Sequence, residues 1–141
     1  MSGHIDPTKE TFAAFRGNDR PGPIHMLNLV RFRDRAAYPD GRQATGAEAY
    51  AAYGRESYPV FSCLGGRIVW RGRFELMLIG PGGESWDECF IAEYPSVAAF
   101  VEMIRDPVYR EAVKHRQAAV LDSRLIRLDP AFPTAADKEA A

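Results

Sequence analysis

The architecture of this chain follows from one segment, PIHMLNLVRFR at positions 23–33. Side chains of a β-strand point alternately to its two faces. In this segment Ile24, Met26 and Val30 lie on one face, while Leu27 and Leu29 lie on the other. The pattern predicts a strand that is largely apolar on both faces at its centre, so both sides of its sheet need cover.

Two longer helices are predicted after this strand. Thr45 and Glu48 have the spacing of a capping box, which predicts a helix from about position 46 to 57 that ends near Pro59. Ser96 is a favourable N-cap, and apolar residues recur after it at the i, i+3, i+4 and i+7 positions of a helix. This second helix restarts or continues at Asp106 and runs toward position 120.

A hairpin is predicted between these helices. The runs RIVWRG (67–72) and FELMLIG (74–80) are interpreted as one strand that is kinked around Gly72, because a glycine inside a strand often marks a bend. The segment P-G-G-E at 81–84 is a turn signal. It joins the kinked strand to WDECFIAEY (86–94), which predicts an antiparallel pair.

The remaining elements lie at the two ends of the chain. Asp6 and Pro7 predict the start of a short helix that ends at Gly17, and RLIRL at 124–128 is the last strand. Without the first helix, the order is strand, helix, strand, strand, helix, strand. This order predicts an α+β fold, the ferredoxin-like split βαβ plan with a four-stranded antiparallel sheet.

The ferredoxin-like plan divides the chain and leaves one face of its sheet uncovered. We expect an N-terminal helix and linker (1–22), one domain (23–128) and a mobile tail (129–141). Both helices cover the same sheet face, so the opposite apolar face predicts a homodimer with a second sheet. The alternative is that the N-terminal helix and residues 34–44 cover that face within one chain.

Composition narrows the classes of partner. The 141 residues include 18 Lys and Arg against 19 Asp and Glu, so no excess charge favours nucleic acid or an anionic membrane. No apolar stretch approaches the length of a membrane span, and the N-terminus has no apolar core of a leader. We therefore expect a cytoplasmic protein. Cys63 and Cys89 are expected to be buried thiols, because neither has the spacing of a metal or redox site.

The chain contains five motifs in a characteristic order: AYAAY (49–53), GGRIVWRG (65–72), FIAEYPS (90–96), DPVY (106–109) and VLDSRLI (120–126). Together they resemble one protein family, the domain of unknown function 1330, over roughly positions 23–128. The resemblance implies a dimeric α+β-barrel fold of the class shared by antibiotic-biosynthesis monooxygenases, and it implies no established activity. The N-terminal extension and a longer 34–44 connection depart from the short members of the family.

Polar residues among apolar strand positions are candidates for ligand binding. Asn28 lies inside MLNLV, where an unpaired amide is costly; it either bonds to backbone at a bulge or points into a cavity. Arg71 can clamp a ligand carboxylate, or it forms an ion pair with Asp87 or Glu93 on the next strand. Asp87, beside Trp86, is a candidate carboxylate base, although an Asp at a strand end is more often solvated.

The helices add four further candidates. Tyr50 and Tyr53 lie three apart on the first long helix, and their hydroxyls can face a ligand or serve only in core packing. His115 is a candidate general base because its pKa lies near neutrality, or it interacts with the helix C-terminus. Arg116 is a candidate ligand-binding residue whose alternative is a structural pairing with Asp122 or another carboxylate of the last strand.

Two hypotheses about function follow. The chain lacks GxGxxG, GxxxxGK[ST], GxSxG and HExxH, and its histidines lack metal-ligand spacing, so we expect no metal and no cofactor. The first hypothesis is a small cofactor-independent enzyme, monooxygenase-like or isomerase-like, acting on a carbonyl or aromatic metabolite. In it Arg71 and Asn28 orient the substrate, and His115 or Asp87 moves a proton. The second is a non-catalytic dimeric module for ligand binding or assembly.

Overall fold

The structure, a computed structural model, describes residues 3–130. Within this range the chain forms four helices and four strands. Their order is α1 (Lys9–Gly17), β1 (Ile24–Phe32), α2 (Gly46–Cys63), β2 (Arg67–Gly72), β3 (Glu88–Tyr94), α3 (Val97–Arg105), α4 (Pro107–Ala119) and β4 (Val120–Leu128).

The four strands form one antiparallel sheet in the order β2-β3-β1-β4. Each half of the fold is a strand, a helical connection and a second strand, which is the split βαβ plan. The prediction of a ferredoxin-like α+β fold with an extra N-terminal helix is therefore confirmed. β1 lies between β3 and β4, and this central position explains why the 23–33 segment is apolar on both faces.

The helices cover one face of the sheet, which we call the helix face. Ile24, Met26, Ala92 and Tyr94 point to this side and are buried. They pack against apolar residues of α2, α3 and α4, namely Val60, Phe61, Val97, Phe100, Met103 and Tyr109. Burial of such side chains contributes roughly 1.5–3 kcal/mol each, so this layer is the main core of the domain.

The opposite side of the sheet, which we call the outer face, has less cover. By strand alternation and register, its apolar side chains are Leu27, Leu29, Trp70, Ile91, Ile126 and Leu128. The side chains of Trp70, Ile126 and Leu128 are 51%, 43% and 40% exposed. Apolar residues clustered on a sheet face that water reaches are unusual for a monomer.

The N-terminal helix and residues 34–44, which were the alternative to a partner, do not cover the outer face. α1 lies on the helix face, where the ring of Phe15 packs 4.8 Å from that of Phe100. The 34–44 segment runs beside the end of α4, and the amide of Ala37 donates to the carbonyl of Ala118 over 2.8 Å. Neither of these two elements therefore covers the outer face, where the ring of Trp86, from the connection before β3, lies against Arg124.

Two helix boundaries differ from the prediction. α2 continues through Pro59 to Cys63, because Val60 and Phe61 extend its buried side into the core and outweigh the hydrogen bond that proline removes. The predicted end near Pro59 was wrong. α1 begins after Thr8, which forms a capping box with Thr11, so Asp6 is not its N-cap. The Thr45 capping box and the Ser96 cap are confirmed.

The hairpin also differs from the prediction. β2 ends at Gly72, and residues 74–80 form no strand. β3 starts at Glu88, because the chain just before it turns toward β1, where the amide of Phe32 donates to Asp87 Oδ2 over 2.8 Å. A fifteen-residue connection, 73–87, thus replaces the predicted tight turn. β4 begins at Val120, four residues before the predicted start.

Cys63 is exposed while Cys89 is buried, so the prediction that both thiols are buried was wrong for Cys63. Cys63 is the last residue of α2, and the core side of the helix is formed by its neighbours. No helix within residues 3–130 has the length and apolar character to cross a membrane. The predicted mobile tail falls, from position 131 onward, outside the described residues.

Candidate functional site

A cleft of about 1770 Å³ lies between the helix face of the sheet and the helices around it. Its floor is formed by strand residues such as Met26, Asn28 and Phe90, and its walls come from α1, α2 and α4. The cleft opens to solvent. Ligand sites are usually concave, mostly apolar and supplied with a few polar groups, and this cleft has that composition.

Strand register brings four residues into one row across the floor. Arg71 pairs with Phe90, Phe90 pairs with Asn28, and Asn28 pairs with Leu125 on the far side. Paired residues of adjacent strands point to the same face. Two of the predicted ligand-binding residues, Arg71 and Asn28, therefore lie on either side of an aromatic ring.

Asn28 bonds to the backbone, although not at the predicted bulge, and it also lines the cleft. Its Nδ2 donates to the carbonyl of Met26 over 3.0 Å, and its half-buried side chain lines the cleft. The bulge of β1 lies elsewhere, between Arg31 and Phe32. The amide oxygen receives no hydrogen bond from residues 3–130, so it is available as an acceptor.

Arg71 lies at the edge of the floor and has a different partner from those predicted. Its Nη1 donates to Oε1 of Glu88 over 3.2 Å, and its guanidinium lies 5.2 Å from the centre of the Phe90 ring. The predicted partners Asp87 and Glu93 were wrong, because strand alternation turns both away from the helix face. The Arg71 side chain is 55% exposed, so ligands can reach it.

Tyr50 presents a hydroxyl to the cleft from α2. The residue is 8% exposed, and within the described part of the chain its hydroxyl has no hydrogen-bond partner. Burial raises the pKa of Tyr50; the charge of Glu88 adds to the rise, and that of Arg71 opposes it. The phenol is therefore neutral at physiological pH and can donate a hydrogen bond.

Tyr53 also faces the cleft, but its hydroxyl is engaged. It lies 2.9 Å from the hydroxyl of Tyr109, and this contact joins α2 to α4. Burial raises the pKa of both phenols, so both remain neutral. The Tyr53 ring lies 5.4 Å from that of Tyr50, and the pair forms an aromatic wall.

Arg116 is buried and tied to the N-terminal segment. Its guanidinium donates to the carbonyl of Ile5 and, over 3.2 Å, to Oγ of Ser123 on β4. Oδ1 of Asp6 lies 4.0 Å from Nη1. Asp122, one of the predicted partners, instead pairs with Arg124 at 2.8 Å. Arg116 lines the cleft, but its donors are largely occupied by the protein.

The two candidate catalytic residues lie outside the cleft. His115 Nε2 is 2.9 Å from Oε2 of Glu56, and Nδ1 contacts the hydroxyl of Tyr38. Because a carboxylate can only accept, a neutral ring donates from Nε2 to Glu56 and accepts from Tyr38 at Nδ1. Asp87 is held at the start of β3 by the amide of Phe32. The structure thus brings neither residue near Asn28, Tyr50 or Arg71.

Sequence reasoning missed Glu88 and Tyr109. Glu88 lines the cleft beside Arg71, and strand parity could have found it, because Phe90, Ala92 and Tyr94 share its face. Tyr109 lies in the DPVY motif, but only the packing of α4 on α2 brings it to Tyr53. Among residues 3–130, no group of three or more His, Cys, Asp or Glu side chains can hold a metal ion.

The fold defines a ferredoxin-like α+β protein with a cleft between sheet and helices. The chain belongs to the family described as "Domain of unknown function (DUF1330)", which it matches over residues 41–127. The resemblance noted in the sequence is therefore confirmed. This family is uncharacterised, and no curated protein matches the sequence.

Solved structures of similar proteins agree with this assignment. The chain is 80% identical to the methylated RPA0582 protein, with a TM-score of 0.93 over 94% of this chain and 98% of the other. It is 79% identical to RPA0582 of Rhodopseudomonas palustris, a protein of unknown function, with a TM-score of 0.91 over 94% and 100% of the two chains.

A more distant similarity is to a protein of Bacteroides fragilis described as dimeric, ferredoxin-like and of unknown function. The two chains are 11% identical, with a TM-score of 0.48 over 76% of this chain and 95% of the other.

Proposed function

We propose that this protein is a homodimer that binds a small molecule in the cleft, and that the ligand has an apolar body and one carbonyl or carboxylate group. The observation that carries the proposal is Tyr50, a residue that is 8% exposed and lines the cleft, and whose hydroxyl makes no hydrogen bond to protein within residues 3–130. In the open cleft this hydroxyl can exchange water for a ligand oxygen that accepts from it, and a hydrogen bond of this kind contributes about 0.5–1.5 kcal/mol.

The surroundings of Tyr50 match such a ligand. Phe90 and Met26 offer an apolar floor for the body of the molecule. Arg71 donates one hydrogen bond to Glu88 and has four other N–H donors, which can bind a carbonyl or carboxylate oxygen. The oxygen of Asn28 can accept from a hydroxyl on the ligand. The enzyme hypothesis and the ligand-binding form of the module both require this binding step.

Ligand-observed NMR with a panel of aromatic carbonyl compounds and carboxylates, including phenylpyruvate and benzoate, tests this proposal. For each compound that binds the wild type, we expect Tyr50→Phe to raise the dissociation constant about tenfold, which corresponds to about 1.4 kcal/mol. Tyr38→Phe is the matched control, because it removes a hydroxyl outside the cleft. Binding that Tyr50→Phe leaves unchanged would contradict the proposed site.

A second candidate function is a cofactor-independent, isomerase-like enzyme, and the position of Glu88 favours it. The Glu88 carboxylate lines the same cleft as the neutral Tyr50 phenol. In this reaction Glu88 takes a proton from the carbon next to the ligand carbonyl, and the C–H electron pair forms an enolate. The Tyr50 hydroxyl stabilises the enolate oxygen. Glu88 then returns the proton to another atom of the enolate. His115 and Asp87 have no part in this scheme.

Deuterium exchange distinguishes the enzyme from the non-catalytic module. In D₂O, phenylpyruvate is expected to exchange its methylene protons faster with wild-type protein than with buffer. Glu88→Gln is expected to abolish the acceleration while it keeps binding, because the amide cannot act as a base. A wild type that binds without acceleration supports the non-catalytic ligand-binding module instead.

The dimer is proposed from the outer face. Six apolar side chains lie there, and pairing with a second copy removes them from water at about 25 cal/mol per Å². Sedimentation equilibrium of the full chain tests it. We expect a dimer for the wild type and a monomer for Ile126→Arg, which places a charge on the outer face. A wild type that remains monomeric at all concentrations contradicts the dimer.

A further inference from the structure

The connection between β2 and β3 contains a second apolar surface without cover. Its first part, residues 73–80 with the sequence RFELMLIG, is called the arm here. The side chains of Leu76, Leu78 and Ile79 are 74%, 82% and 91% exposed. These exposures exceed those of the outer face. A connection that merely joins two strands does not require this composition, since turns are usually polar.

The arm and the outer face form one continuous surface. Trp70, on the outer face, lies on β2 two residues before the strand ends. Its indole lies against Gly72, where a Cβ atom would come within 2.6 Å of the ring. The arm therefore leaves the sheet at the border of the apolar outer face. Both surfaces belong to the same chain, and neither covers the other.

We propose that the arm of one protomer crosses to a second copy of this chain and packs on the outer face of the partner's sheet. The inference rests on the dimer proposed above and adds the element that reaches across it. A two-fold axis places the same patch of both copies in contact. One symmetric contact thus buries both arms and both outer faces.

The charges of the arm favour a second copy of the chain over an anionic membrane surface. The arm carries Arg73 and Glu75, whose charges cancel, so an anionic membrane surface has no electrostatic attraction for it. Glu75 is exposed and forms no ion pair within residues 3–130. On the outer face the side chain of Arg67 is 70% exposed; its Nε donates to Glu93 over 2.8 Å, which leaves the other guanidinium donors for a second carboxylate. Glu75 can therefore pair with Arg67 of the partner subunit at the border of the interface.

Photocrosslinking of full-length protein tests the crossing directly. Ile79 is replaced by p-benzoylphenylalanine, and the protein is mixed in unlabelled and ¹⁵N-labelled form until subunits have exchanged. We expect crosslinked peptides that join the arm of one chain to β1, β2, β3 or β4 of the other, recognised by their mixed label. The matched control carries the same group at Val108, which is 55% exposed on α4. Crosslinks only within one chain overturn the inference.

Sedimentation equilibrium then separates this inference from the dimer itself. We expect the triple variant Leu76→Ser, Leu78→Ser, Ile79→Ser to raise the dimer dissociation constant by about 100-fold or more. Val108→Ser should leave the constant unchanged. If Ile126→Arg gives a monomer and the triple variant dimerises like the wild type, the dimer stands and the role of the arm is refuted. If the wild type is a monomer throughout, both are refuted.

Discussion

Removal of the hydroxyl groups of Tyr53 and Tyr109 tests how α2 and α4 are joined beside the cleft. The two oxygens lie 2.9 Å apart, and the rings meet edge to face with their centres 6.0 Å apart. Tyr109 is 6% exposed. Phenylalanine at either position keeps the ring contact and removes one partner of the hydrogen bond. We consider Tyr53→Phe, Tyr109→Phe and the double variant.

The magnitudes follow from the burial of this pair. Either single variant leaves the other hydroxyl without its partner in an apolar setting, which costs about 1–3 kcal/mol. The double variant removes both polar groups and leaves two apolar rings in contact, which is nearly neutral by comparison. We therefore expect the double variant to be more stable than the sum of the single effects predicts, with a coupling of at least about 1 kcal/mol.

Urea denaturation at one fixed protein concentration measures these free energies, because the stability of a dimer depends on concentration. Tyr94→Phe combined with Tyr53→Phe is the control pair, since the Tyr94 hydroxyl has a separate partner in the sulfur of Met103. Its effects should add within about 0.5 kcal/mol. Additive effects for Tyr53 and Tyr109 as well would show that their hydroxyls are not coupled, and the reasoning would fail.

Three further predictions concern pH and the N-terminal segment. Burial raises the pKa of Tyr50 and Tyr94 above 10.0. The free energy of unfolding therefore keeps its full value below that pH and falls above it by about 1.4 kcal/mol per pH unit for each tyrosine. Ultraviolet titration should detect their phenolates only as the chain unfolds. The hydrogen bond from His25 lowers the pKa of Glu93 below 4.5. The ionised Glu93 therefore stabilises the fold above that pH, and this stabilisation is lost as the pH falls further. Glu93→Gln should lower the free energy of unfolding by about 1 kcal/mol at neutral pH and by less in acid. Arg116→Met removes the hydrogen bonds to the N-terminal segment and to β4 and should lower the free energy of unfolding by about 2–3 kcal/mol. Amide hydrogen exchange should become faster in the N-terminal segment. Unchanged exchange there would contradict the attachment of this segment through Arg116.

The elements that sequence reasoning located correctly are those with strong local signals. The capping box of Thr45 and Glu48 places the start of α2 because both hydrogen bonds lie within one turn of helix. The end of α2 depends on packing instead. Val60 and Phe61 are drawn into the core, and their burial carries the helix past Pro59 in spite of the local signal to stop.

In the candidate site as well, local patterns locate some residues, and packing decides the position of others. Strand parity places Asn28 and Arg71 on one face, and the register of the sheet then aligns them across Phe90. The same rule, applied to β3, selects Glu88 and rejects Asp87. His115 could not be placed by such a rule, because a helix position faces the cleft or turns away from it according to how α4 packs on α2.

The sequence alone determined the order of the strands and helices and the need for cover on both faces of the sheet, because strand alternation and helix caps act over a few residues. Only the tertiary structure decided which polar groups share the cleft, that Tyr50 lacks a partner there, and that the arm leaves the sheet at Gly72. These features depend on contacts between residues far apart in the chain, whose energies are set by packing and not by local pattern.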